Sequence, residues 1–299
     1  MTRFKRYVPP ILLISPSLIL MGIFVYYLIF GSVQLSTTSI HTFPQFTGAR
    51  PHENVGIGNY LDLLGSEDFR HSLKNLLLYT VLFIVGTMFF GFLWAWLLDR
   101  RSKAEGIFRS LYLFPMAVSS VAAGVVWRWL LNANQGQRAS GLNRLFQTVG
   151  LGFLENGWTT SVDFGIAAIA MPAIWQMSGY VMALFLAGFR GIPNELREAA
   201  RVDGAKEWQI YRHVLFPQLS PVALSALIIL GHMSLKVFDL IVSVTDYRVY
   251  TTKAPAVDMA NYMNGGDYAT AAAIGIILLL VVLVLIVPYL IHTAREDRQ

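Results

Sequence analysis

Residues Gly191–Ser220 read GIPNELREAARVDGAKEWQIYRHVLFPQLS, a charged stretch set between two apolar blocks, Phe164–Phe189 and Val222–Thr245. Pro193 and Asn194 signal a helix start, with Asn194 a good N-cap and Glu195 favourable in the first turn. Glu195–Val202 contains Glu198 and the adjacent Ala199 and Ala200, and is strongly helix-forming. Asp203-Gly204 predicts a break, because glycine tolerates a left-handed turn and Asp203 can cap whatever follows. A second short helix is expected from Ala205 to about Val214, carrying Trp208, Ile210 and Tyr211, with Pro217 stopping it. The element is therefore a bent helix pair at a membrane face. Its small residues Ala199, Ala200 and Gly204 let a partner surface approach closely. Taken alone, such a pair is equally well an amphipathic interfacial element.

The flanking blocks set the fold class. Of 299 residues, 55 % are hydrophobic and 14 % charged, against about 25 % charged in an ordinary soluble domain. Six apolar blocks qualify as spans: Ile11–Val33, Leu73–Leu98, Leu111–Leu131, Phe164–Phe189, Val222–Thr245 and Ala269–Ile291. A helix of twenty-odd residues is about 30 Å long or more, enough to cross a bilayer core. Hydrocarbon offers no partner to a backbone amide, so such blocks are expected to be helical. The first block is too long for the apolar core of a signal peptide, and no A-x-A site follows it, so it is read as an uncleaved span. Cysteine is absent, which removes disulfides, thiolate metal sites and cysteine nucleophiles and leaves the redox compartment open. No metal site, catalytic residue or second soluble domain is indicated.

The net charge of +5 has a topological reading. With the N-terminus inside, the inner segments hold fourteen Lys and Arg: Arg3, Lys5, Arg6, Arg100, Arg101, Lys103, Arg109, Arg190, Arg197, Arg201, Lys206, Arg212, Arg295 and Arg298. The outer loops hold six: Arg50, Arg70, Arg138, Arg144, Arg248 and Lys253. That bias puts both termini in the cytoplasm, and nucleic acid is not required to explain the basic excess. The outer loops, about 34–72, 132–163 and 246–268, are long enough to meet a partner outside the cell.

The spacing within the quoted stretch carries a family resemblance. Glu198-Ala199-Ala200, three residues, Gly204, nine residues and then Val214-Leu215-Phe216-Pro217 resembles the EAA loop of ABC importer permeases, whose pattern is EAA-x3-G-x9-I-x-L-P. Val214 stands for Ile, and Phe216 replaces Leu. Similarity extends from about Gly56 to the end, through VGIGNYLDLLGSEDF before the second block, IFRSLYLFPMAVSSVAAGVVWRWLLN from Ile107 and WQMSGYVMALFLAGFRGIPNEL from Trp175. These are similar to the carbohydrate-uptake group. SLKVFDLIVSVTD from Ser234 and the KAPAVDM segment are most similar to glucose/mannose and α-glucoside permeases. The resemblance implies an all-α polytopic protein of the type I ABC importer permease fold with six transmembrane helices. It divides into 1–72 (first span and outer loop), 73–292 (core with coupling loop 190–221) and a cytoplasmic tail at 293–299. It implies a place in a bacterial or archaeal inner membrane, and import of a sugar by alternating access. The implied partners are a second, similar but distinct permease, an ATPase dimer and an extracytoplasmic sugar-binding protein. Glu198, Ala199, Ala200, Asp203, Gly204 and Pro217 would couple to the ATPase. The chain has no G-x4-G-K-[ST] phosphate loop, so ATP and Mg are expected on the separate ATPase chain and no cofactor on this one.

Polar groups inside spans are functional candidates because they are expensive there, about 2.5–3.5 kcal/mol each near the bilayer centre. His232, Lys236 and Asp239 are spaced four and three apart, on one face of a continuous fifth helix. Two readings stay open: Lys236 and Asp239 as a neutralising structural pair, or the face as a sugar path. In the fourth block Trp175, Gln176, Ser178 and Tyr180 either bind a pyranose or serve as packing glue. Trp127, Arg128 and Trp129 read as an aromatic belt with a snorkelling arginine. Ala271 and Gly275 read as a helix-packing pair. Two other functions compete: a proton-coupled secondary transporter using the fifth-block charges as a relay, and a membrane assembly subunit without transport.

Overall fold

The computed structural model describes residues 13–99 and 105–296, with side chains at 13–99, 105–284 and 287. Arg3, Lys5, Arg6, Arg100, Arg101, Lys103, Arg298 and the first two residues of the expected first span lie outside the described residues. So do residues 297–299 of the expected tail. The described residues form helices and turns, with a lone β-bridge between Thr38 and Asn54. In chain order the helices that matter are α1 (Leu13–Ser36), α2 (Gly58–Gly65), α3 (Glu67–Asp99), α4 (Glu105–Ala117), α5 (Ser120–Leu130) and α6 (Gly141–Thr148). Then follow α7 (Gly165–Gly191), α8 (Asn194–Val202), α9 (Glu207–Gln218), α10 (Ser220–Ser234), α11 (Asp239–Val244), α12 (Pro255–Asn264) and α13 (Tyr268–Glu296).

Three helices, α1, α3 and α7, are each long and apolar enough to cross a membrane, and α4–α5 and α9–α10 qualify as bent pairs. The apolar part of α13 within the described side chains, Tyr268–Val284, is shorter. The chain divides into two compact units, one from Met1–Arg70 and Asp258–Val281, the other from His71–Val257 and Val282–Gln299. In the first unit the apolar window of α1 is 0 % buried, so this helix presents most of its surface to lipid or a partner, with Ser15, Gly22 and Ile29 partly covered on one face. Its C-terminal carbonyls are satisfied locally: the buried Asn59 side chain of α2 donates to Ser36 O (2.8 Å) and Thr38 O (2.9 Å). That is how an apolar helix end is closed without water. Gly275 of α13 faces Met259 of α12, where an added Cβ would lie 3.6 Å from the sulfur, in line with a packing role.

In the second unit α7 is the central helix, with 56 % of its apolar window buried against 28 % for α3. α3 starts with Glu67 and Asp68 in its first turn, suited to the helix dipole, and has no interior proline. It packs closely on α7: a Cβ on Gly91 would meet Val181 at 2.6 Å. The close backbone approach that small residues permit is one of the sources of helix association in lipid, through van der Waals packing.

Two blocks expected as single straight helices are broken. The third bends by 96° between α4 and α5. Pro115 lies in the last turn of α4, Ser119 caps α5 by accepting from Ala122 N (3.2 Å), and together they turn the chain at Val118. The fifth ends its helix at Ser234 and resumes at Asp239, so His232, Lys236 and Asp239 do not share one helical face.

The coupling stretch keeps its expected shape with shifted boundaries. α8 begins at Asn194 with Pro193, not Asn194, in the cap position. The second helix starts at Glu207 and runs through a wide π turn at Tyr211–Leu215 and a last turn containing Pro217. Pro217 therefore does not end it. A proline lacks the N–H that would bond four residues back, the widened turn precedes it, and the chain bends by 62° at Leu219 between α9 and α10.

Candidate coupling and translocation sites

α8 and α9 are joined by a turn that the sequence specifies residue by residue. Gly204 has φ +81°, a left-handed conformation that costs an L-residue roughly 1–2 kcal/mol. Ala205 N donates to Ala200 O and Gly204 N to Arg201 O, both at 3.0 Å. These two bonds close the end of α8 in the Schellman manner. Asp203 occupies the C-cap of α8 and does not cap the next helix. The start of α9 is held instead by Gln209, whose Oε1 accepts from Lys206 N at 2.8 Å. Arg201 Nε bridges the turn to Glu207 Oε1 at 2.8 Å. That bond and the charge of Glu207 raise the Arg201 pKa. Glu198, Ala199, Asp203, Gly204 and Pro217 are exposed and Ala200 is half-buried.

Beneath this turn lies a buried ionic cluster. Arg197 of α8 donates through Nη1 and Nη2 to the two carboxylate oxygens of Asp99, the last residue of α3, at 2.7 and 3.3 Å. Nη2 also donates to Phe189 O near the end of α7 at 3.1 Å. The Tyr211 hydroxyl, on α9, donates to Asp99 Oδ2 at 2.7 Å. Phe189 and Trp96 flank the Tyr211 ring, with centroids at 5.8 and 6.1 Å. Burial lowers the guanidinium pKa, and the bond and charge of Asp99 outweigh it, so the net shift is upward. The sequence offers an acid at the end of an apolar helix and a set of basic residues on the loop. Nothing in it says which arginine answers Asp99.

Four of the six candidate path residues share one cavity. A space of about 560 Å³ is lined by Gln176 from α7, His232 from α10, Lys236 from the break and Asp239 from the start of α11, with Tyr79, Phe83 and Phe238 among the aromatic walls. Lys236 and Asp239 are exposed, and among the described residues no ion pair joins them. The break puts both in the cavity wall instead of stacking them on a helix. His232 Nδ1 is buried without a hydrogen bond. Gln176 Nε2 donates to Val118 O at 3.0 Å, satisfying the carbonyl released where α4 and α5 part. Trp175 faces a different, apolar cavity of about 620 Å³ with Trp94, Tyr112 and Trp127, because adjacent helix residues point about 100° apart. Tyr180 lines neither of these two cavities.

Arg128 does more than snorkel. It donates through Nε to Val244 O (3.0 Å) and through Nη2 to Val242 O (3.3 Å), closing the last turn of α11. A positive side chain on the carbonyl end of a helix is favoured by the dipole.

Residues 87–296 match the family model described as binding-protein-dependent transport system inner membrane component. A probable ABC transporter permease of Pyrococcus horikoshii is 39 % identical over 97 % of both chains. The alpha-glucoside transport system permease protein AglF of Rhizobium meliloti is 30 % identical over 98 % of this chain and 84 % of its own. The xylose/arabinose import permease protein XacH of Haloferax volcanii is 31 % identical over 83 % of this chain and 78 % of its own. A chain of a bacterial ABC transporter involved in the import of the acidic polysaccharide alginate shares the fold, with a TM-score of 0.77 over 99 % of this chain and 98 % of that one at 22 % identity. With its apolar helices and its capped Glu198–Gly204 turn, the chain belongs to the family of inner-membrane components of binding-protein-dependent transport systems, a multi-pass transport subunit and not an enzyme.

Proposed function

We propose that this chain is the permease subunit through which an ABC importer passes a sugar received from an extracytoplasmic binding protein. Transport names of relatives that carry α-glucosides and pentoses support the solute class. The observation that carries the coupling role is the exposed Glu198-Ala199-Ala200 run ending on Gly204 at φ +81°. It forms a small-residue knuckle able to seat in a partner ATPase, which binds ATP and Mg. Six spans with both termini cytoplasmic place the knuckle inside and the long loops outside, facing the binding protein. A second, similar but distinct permease completes the pathway in a bacterial or archaeal inner membrane. Gln176, His232, Lys236 and Asp239 line this chain's share of the sugar path, where planar polar groups and aromatic walls suit a saccharide. Trp175 lies on a separate face and is not assigned to it.

Purification supplies the test. Co-elution with an ATPase whose hydrolysis rises when a sugar-loaded binding protein is added supports the importer. Transport by this chain without any ATPase would refute it.

A further inference from the structure

We propose that Asp99, Arg197 and Tyr211 form a rigid joint that makes α8 move as one body with the ends of α3, α7 and α9. The inference rests on the coupling reading above and goes beyond it, because these positioning residues need not touch the ATPase. α8 has no buried residue: Leu196 is 39 % exposed and Val202 87 %. Apolar packing of its own side chains therefore does little to fix this helix to the rest of the second unit. A displacement of α8 would be absorbed by the short link at Gly191–Pro193 unless something stiffer held the helix. The Arg197 fork is the stiff connection. Its two bonds to Asp99 fix orientation as well as distance, as paired guanidinium–carboxylate contacts do, and its third bond reaches Phe189 O at the end of α7. Tyr211 closes the set from α9, sharing Asp99 Oδ2. Side-chain exposures of 5 % for Asp99 and 15 % for Arg197 limit the access of water to these bonds, which lie in the wall of a cavity of about 690 Å³. One carboxylate thus receives donors from two elements, and one guanidinium reaches two more.

The cysteine-free sequence allows direct measurement of this rigidity. Nitroxide labels on Val202→Cys and Leu77→Cys, at positions 87 % and 67 % exposed, report α8 against the far end of α3. Asp99 lies about 33 Å along the helix from Leu77. Pulsed electron-spin distances would be recorded on the full chain in its complex, in lipid nanodiscs, without nucleotide and with ATP and vanadate. Without the substitutions a single narrow distribution is expected. Arg197→Met and Asp99→Asn should each widen it about twofold, and Asp99→Glu should restore the narrow form. A second label pair on Leu77→Cys and Leu227→Cys should stay unchanged. Equal widths in all chains overturn the joint, as does a widening that the second pair follows, since that is general loosening. Absence of ATP hydrolysis by the unsubstituted complex would instead count against the importer reading, while the nucleotide-free widths still decide the joint.

Discussion

Arg197 and Asp99, 98 residues apart in sequence, meet through two hydrogen bonds of 2.7 and 3.3 Å with both side chains largely withdrawn from solvent. Removing one member of a buried pair leaves the other charged and unanswered, which typically costs about 3–5 kcal/mol, whereas replacing both by apolar groups is often neutral. Asp99→Leu should therefore lower the melting temperature of the purified protein markedly. The double change Asp99→Leu with Arg197→Met should recover much of that loss. Thermal scans of the unsubstituted protein, Asp99→Leu, Arg197→Met and the double variant check this, and additive losses would contradict it. The double variant should still fail to transport, because it restores burial without restoring the fork.

Gly204 stands in open space: a Cβ there would meet nothing within 4 Å. Within this chain, any effect of substitution on the fold must come from its backbone conformation. Gly204→Val should destabilise the α8–α9 turn by roughly 1–2 kcal/mol, while Gly204→Asn, which tolerates left-handed geometry better, should do less. Hydrogen exchange should rise in residues around 200–206 and stay unchanged in α3 and α7. Solute uptake should fall in the same order, Val more than Asn.

At the start of α11, Asp239 is exposed in the wall of the cavity that also contains Lys236 and His232. Losing a charged hydrogen bond to a solute is worth about 1.5–3 kcal/mol, or roughly ten- to a hundredfold in affinity. Asp239→Asn should cut uptake by that order with little change in melting temperature, because a first-turn acid contributes only about 0.3–1 kcal/mol to its helix. Trp175→Leu, on the apolar cavity, should leave uptake nearly intact. Transport assays on the two variants distinguish the assignment: equal losses would mean the cavity is not the path.

The apolar blocks were legible because a bilayer demands long helices. The bent shape of the Glu198–Gly204 stretch was legible from Gly204 and the flanking helix formers, while its coupling role came from the spacing it shares with the EAA loop, since the residues alone fit an interfacial helix pair equally well. The breaks at Val118 and Leu235–Phe238 were not. Pro115, Ser119 and Lys236 mark them only weakly, since each residue type also occurs inside unbroken spans, and the stabilising partners, Gln176 for the first and Thr80 bonding Ser234 for the second, come from other helices. Asp99 was hidden for the same reason: its partner is chosen by tertiary packing, and Arg197 looks no different in sequence from Arg201. Family membership disfavours the proton-coupled and non-transporting alternatives, which composition and charge alone had left standing.

Gln176 separates packing from transport in a way the other cavity residues do not. Its amide nitrogen, 3.0 Å from Val118 O, satisfies a carbonyl that the 96° bend leaves without a helical partner. Gln176→Leu keeps the volume and deletes the donor. A buried carbonyl left unpaired costs about 1–3 kcal/mol, and Val118 O, half-buried in the cavity wall, falls at the low end, so the variant should melt a few degrees lower and favour a straighter α4–α5 connection. Gln176→Glu supplies a carboxylate facing the same carbonyl and should be worse than Leu at any pH that keeps it ionised, because two acceptors then oppose each other. If solute contact were the only role of Gln176, both variants would lose uptake at unchanged melting temperature. Uptake and melting temperature falling together, with Glu below Leu, is the outcome the bend requires.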